Sequence, residues 1–145
     1  MRLDHLLSRE PRKGLKREFP HKLPVSRQAA ARSLYISRVY AHDKGLQKFG
    51  LRIVPVNPSA TEILGMRAWP DLESAIQGGG PIDVVDVFRR PEHVAAIVDD
   101  CIRLKVPALW LQDGVIDEVA AQKARDAGIF TVMNRCMFRD RSALD

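Results

Sequence analysis

Short apolar runs separated by helix-period segments constrain this chain more than any other feature. Leu51-Arg52-Ile53-Val54-Pro55-Val56 is β-branched and apolar, and it ends at the turn signal Asn57-Pro58. Ile82–Phe88 is a second run, closed by Arg89-Arg90-Pro91. Ala108–Leu111 is a third, closed by Gln112-Asp113-Gly114, and Ile129–Met133 a fourth, closed by Asn134-Arg135. Each is apolar on both faces, as parallel strands covered on both sides must be. Between them Val94, Ile97, Val98, Cys101 and Ile102 repeat at i, i+3, i+4, i+7 and i+8, one helical stripe begun by Pro91. A further helix starts at Asp117 as N-cap, turns Val119, Ala120 and Ala124 inward and stops at Gly128. A shorter helical piece covers Asp71–Gln77, before the breaker Gly78-Gly79-Gly80. Strand, helix, strand, helix, strand predicts right-handed crossovers and a three-layer α/β domain with an open parallel sheet.

A length of 145 residues suits one domain with a real core. The net charge of +5 is unevenly spread: residues 1–50 hold 12 Lys/Arg against 4 Asp/Glu, and residues 51–145 hold 11 against 14. A basic leader is thus joined to a mildly acidic domain. No run of 18 apolar residues is present, which argues against a membrane partner. The early basic residues lack a following apolar stretch, so no secretory signal is expected. Cys101 and Cys136 share no metal-binding spacing and read as reduced, packed thiols in a cytoplasmic protein.

The leader is less orderly. Pro11, Pro20 and Pro24 interrupt it, and its basic residues follow no period. Ser26–Tyr40 reads as a poor helix, or Leu34–Val39 as a strand. No glycine-rich phosphate loop is visible. The domain proper is placed at 46–145, with 1–45 a basic divergent segment.

In open parallel sheets, ligands bind beyond the carboxyl ends of the strands, where strand order reverses. That rule directs attention to Asn57-Pro58, Phe88–Pro91, Gln112–Gly114 and Asn134–Cys136. Asp83 and Asp86 resemble an edge or capping pair more than an acid/base dyad. His5, His21, His42 and His93 share no catalytic or metal spacing, and no nucleophile stands with its base. No metal and no enzymatic activity are therefore expected.

Five ordered motifs carry a resemblance. They are Ile53–Pro58, Glu62-Ile63-Leu64-Gly65, Asp83–Glu92, Trp110–Gly114 and Val132–Cys136. The series resembles the small single-domain CoA-binding proteins, relatives of the nucleotide-binding domain in the succinyl-CoA synthetase α subunit, over about Leu46 to Arg141. The resemblance implies a Rossmann-like sheet with strand order near 3-2-1-4-5 and CoA, or an acyl-CoA, along the carboxyl rim. It places Val56, Asn57 and Pro58 by the nucleotide, and Phe88, Arg89, Arg90 and Pro91 around adenine and pyrophosphate. Gln112 and Gly114 line the floor, and Asn134 closes the set. Some relatives carry a lysine directly after the Asn-Pro turn, where this chain has Ser59.

The family's first strand and its phosphate loop match nothing here, so the first strand is expected to be divergent or missing. Residues 1–45 are then either a misread frame of that unit or a genuine extension. Without a replacement, the strands from Leu51 and Val84 would present unpaired inner edges. The expected function is non-catalytic CoA binding, with a homodimer as the assembly. The alternatives are an accessory subunit of an acyl-CoA synthetase or ligase, and an interaction protein that has lost its ligand. A nucleic-acid partner is disfavoured, since the basic stretch lacks interleaved aromatics and any docking motif.

Overall fold

An interior place in the sheet is filled by β1 (Arg32–Ile36), which pairs in parallel with strands on both sides. The computed structural model describes residues 32–36 and 45–143. Residues 1–31, 37–44 and 144–145 lie outside that description, and with them most of the basic leader.

Of the two expectations, a divergent or a missing first strand, β1 fits the first, and it overlaps the strand reading of Leu34–Val39 at Leu34–Ile36. The sheet begins at Arg32, upstream of the boundary placed at residue 46. The inner edges of its two neighbours are covered. Sequence obscured it because five residues between basic flanks show no clear period.

The remaining strands are β2 (Arg52–Pro55), β5 (Val84–Val87), β6 (Ala108–Leu111) and β7 (Phe130–Val132). All four interfaces are parallel, and the order is β2-β1-β5-β6-β7. Counting only these strands, the order is 2-1-3-4-5, the flavodoxin-like doubly wound arrangement, rather than 3-2-1-4-5. The reason lies in the segment after β2. It forms an antiparallel hairpin, β3 (Glu62–Ile63) and β4 (Met66–Arg67), and where a third outer strand would lie it leaves only a one-residue parallel bridge of Trp69 to Val56. Leu64 and Gly65 at its tip have φ of 54° and 72°, the left-handed pair that a tight two-residue turn requires.

Alternation along the strands sends side chains to two cores. Val54, Val85, Val87, Leu109 and Leu111 face one side. There they meet α1 (Leu72–Gly79) through Leu72 and Ala75, and α2 (Val94–Arg103) through Val94, Val98 and Cys101. Ala120, Ala121 and Ala124 of α3 (Glu118–Asp126) complete that layer. Ile53, Val84, Ala108, Trp110 and Val132 face the other side, against Leu46 and Met137 of α4 (Met137–Ser142).

Helix starts follow capping chemistry. Asp71 and Asp117 accept from the N–H of Ser74 and Ala120, each three residues on. Pro91 opens a 3₁₀ turn, Pro91–His93, that leads into α2. Two local expectations are corrected. Gly78 and Gly79 do not break α1 but belong to it, and the helix ends at Gly80 (φ 88°). They are small because a Cβ on Gly78 would meet the Trp69 ring, and one on Gly79 would lie 3.1 Å from Val54. Val119 is 83% exposed, since the inward face of α3 is set by Ala120, Ala121 and Ala124. Asp86, expected at an edge, is fully buried in a strand paired on both sides. No described helix is long and apolar enough to cross a membrane.

Candidate functional site

Parallel registers bring the carboxyl ends of β2, β5, β6 and β7 to one rim. The crossovers from β1 and β5 run in opposite directions, so the reversal point lies between these two adjacent strands. The rim has two halves of different character.

The β6–β7 half is stitched shut. Asn134, held at φ 58°, accepts at Oδ1 from the Gly114 N–H at 2.9 Å. Gln112 is 2% exposed; its Nε2 donates to Asp86 Oδ1 at 2.6 Å, and its Oε1 accepts from the Met137 N–H at 3.3 Å. Trp110 Nε1 donates to the Arg135 carbonyl at 2.7 Å. Arg135 pairs with Asp140 at 2.7 Å, and Arg139 forms a two-pronged pair with Asp113. Cys136 is the buried N-cap of α4, its Sγ accepting from the Arg139 N–H. Gln112, Gly114 and Asn134 thus spend their polar groups on one another, on Asp86 and on α4.

Among the described residues the β2–β5 half is less closed. A cleft of about 200 Å³ is lined by Val56 and Pro58 after β2, by Pro70, Asp71 and Leu72 at the start of α1, and by Arg89 after β5. His93, Ala96, Ile97 and Asp100 form its α2 wall. Val56, Pro58 and Arg89 are therefore the sequence-expected residues that the fold brings together here. Asn57 shapes the turn: its Oδ1 accepts from the Ser59 N–H, and its own N–H donates to the Trp69 carbonyl. Phe88 is partly buried and packs on the opposite core. Arg90 is an exposed residue next to Glu92, and Pro91 starts the 3₁₀ turn.

Pro70, Asp71, His93 and Asp100 escaped the sequence reading. The signal for Asp71 was present, since it already read as a helix start, but nothing in the chain order placed that start beside β2. The connection is a parallel bridge between Val56 and Trp69. The Trp69 N–H donates to the Pro55 carbonyl and the Asn57 N–H to that of Trp69, so residues 69–71 run beside the end of β2.

The charges in the cleft are unequal in freedom. Among the described residues Arg89 has no ion-pair partner. Asp100 is paired with Arg103 at 3.0 Å, and Arg103 also reaches Glu73 at 3.1 Å. Asp71 is held below the usual carboxylate range by the backbone N–H of Ser74, then by the Ser74 side chain, with a smaller push from Arg103. His93 lies 3.6 Å from Glu92. Among the described residues no group of His, Cys, Asp and Glu is placed to hold a metal ion. Apolar walls with one unpaired guanidinium suit a flat ring joined to an anion.

Comparison with known proteins gives the family and the fold. YneT of Bacillus subtilis, itself uncharacterized, is 35% identical over 94 residues, which are 65% of this chain and 67% of that one. A hypothetical protein from Pyrococcus horikoshii superposes with a TM-score of 0.68 at 28% identity, covering 81% of this chain and 84% of that one. A Thermus thermophilus protein gives 0.70 at 25%, covering 79% and 91%. Prb, a protein redesigned for binding, gives 0.71 at 28%, covering 81% and 84%. The sequence model of the CoA binding domain matches residues 37–141, a span that takes in β2, the cleft and both rim halves. The chain therefore belongs to the CoA-binding domain family, with a Rossmann-like fold.

Proposed function

We propose that this cytoplasmic protein binds CoA or an acyl-CoA along the carboxyl rim and does no chemistry on it. The observation that carries this is the open cleft between the ends of β2 and β5, with Arg89 on its wall. About 200 Å³ is less than the roughly 300–1,000 Å³ that encloses a whole drug-sized ligand. The cleft therefore seats one moiety, the adenine, between Val56, Pro58 and Ile97. The pyrophosphate lies at its mouth by Arg89, and the pantetheine arm runs on across the rim. A non-catalytic role is supported by the same geometry: both cysteines are buried, and the ion-pair neighbour of His93 is Glu92, next in the chain.

Calorimetric titration with CoA at low salt tests this. Wild type is expected to give saturable heat. Arg89→Gln is expected to bind about tenfold more weakly, the loss of one charge-assisted hydrogen bond. Absence of heat and of any thermal shift for wild type at millimolar CoA would refute the proposal.

A further inference from the structure

Resting on the reading of the cleft as a CoA-type site, we propose that its nucleoside end is built for a ribose with free hydroxyls. The ligand class is then adenine nucleotides lacking a ribose phosphate, with dephospho-CoA held more tightly than CoA.

The turn after β2 offers a ribose phosphate no charge. From Pro55 to Thr61 it carries no charged side chain. Two of its backbone donors are occupied locally: the Asn57 N–H goes to the Trp69 carbonyl at 2.8 Å and the Ser59 N–H to Asn57 Oδ1 at 2.8 Å. Pro58 has no N–H. A phosphate cradle needs successive free N–H groups converging on one point, and Asn57, Pro58 and Ser59 in the middle of this turn supply none.

Among the described residues the cations nearby are also engaged, with one exception. Arg103 bridges Glu73 and Asp100. Arg67 stacks on the Trp69 ring, 4.0 Å from its centroid. Arg89 remains, and a single guanidinium serves the pyrophosphate that CoA and dephospho-CoA share.

What the cleft does offer at this end is carboxylate. In doubly wound nucleotide sites, an acidic side chain near the end of the second strand accepts from a ribose hydroxyl, whereas a phosphate there requires a cation. β2 itself ends without an acid. Asp71 takes that place from another element, because the Val56–Trp69 bridge runs residues 69–71 alongside 55–57 like a short added strand. Its Oδ1 receives the Ser74 N–H at 2.7 Å, and a carboxylate can accept about four hydrogen bonds, so capacity remains for a ribose hydroxyl. Ser74 keeps this carboxyl ionised well into the acid range. Asp100, on the facing wall, is paired with Arg103, and that pair offers no free cation either. A phosphomonoester brings about −1.5 to −2 charges at neutral pH and would meet the Asp71 carboxylate.

Parallel titrations of the full-length protein with CoA and with dephospho-CoA test the inference, in wild type and in Asp71→Asn. Asparagine is as good an N-cap as aspartate, so this variant keeps the start of α1 and removes only the charge. Wild type is expected to bind dephospho-CoA about fivefold more tightly than CoA. In Asp71→Asn the two ligands are expected to fall within about twofold, mainly through tighter CoA binding. Equal or tighter binding of CoA by wild type would overturn the inference while leaving CoA binding intact. So would a preference unchanged in Asp71→Asn. Failure of wild type to bind either ligand would remove the CoA-site reading and this inference with it.

Discussion

Replacing Trp110 with alanine is expected to lower the unfolding free energy by about 3–5 kcal/mol, a large share of the roughly 5–15 kcal/mol available to a domain. Trp110 is 2% exposed at the centre of β6 and packs among Ile53, Val84, Ala108, Val132 and Met137. Two losses combine. The cavity removes the indole's packing within this core, and the Arg135 carbonyl loses its indole donor at 2.7 Å. Urea unfolding should show the midpoint moving down with little change in slope. Trp110→Phe keeps most of the volume and is expected to cost only about 1–2 kcal/mol. If Trp110→Ala stayed within about 1 kcal/mol of wild type, the second core would not be closed by α4 as described.

Alkaline pH supplies the second large effect. Burial first, and the neighbouring Asp100 charge second, push the Cys101 thiol from 9.0 up to about 12. The native chain therefore keeps a proton that the unfolded chain releases once pH passes 9.0. The contribution of the neutral thiol is complete below that pH and is lost as pH climbs toward 12. The slope is at most about 1.4 kcal/mol per pH unit from this group. Comparing unfolding free energies at about pH 8 and about pH 10.5 isolates it, because Cys101→Ala should show a shallower decline than wild type. Equal declines would show that the thiol is not held neutral. The same burial predicts that Cys101 resists alkylation until the protein unfolds.

The parts of the fold legible in sequence are those where burial is symmetric or a cap is explicit. All four residues of β5 and all four of β6 are buried, so two apolar runs announced two central strands. Asp117 announced α3 because an aspartate before a helical stretch has little else to do. β1 was harder: a strand lying between two others needs no outward alternation, and five residues among basic neighbours carry no period. α4 was not anticipated, being six residues long and capped by a cysteine, an uncommon N-cap. Val119 misled because a valine beside alanines reads as the packed residue, whereas α3 approaches the sheet through its small side chains.

At the site, topology located the rim but could not sort its polar residues. Gln112, Gly114 and Asn134 have the chemistry of ligand contacts, yet their partners are Asp86, Met137 and one another. Nothing along the chain distinguishes a polar group aimed at a ligand from one bonded to the next loop. Asp71 and Asp100 were missed for the converse reason. They belong to helices that read as scaffold, and only the Val56–Trp69 bridge and the packing of α1 beside α2 bring them to the cleft.

On the proposed function, ligand occupies the β2–β5 half of the rim and not the β6–β7 half. Hydrogen-exchange protection on adding CoA addresses it most directly. Exchange is expected to slow in the segments around Val56–Ser59, Asp71–Leu72 and Arg89–Ile97, with Met137–Ser142 unchanged. Protection centred on Gln112–Gly114 and Asn134–Met137, with none at Arg89–Ile97, would contradict it.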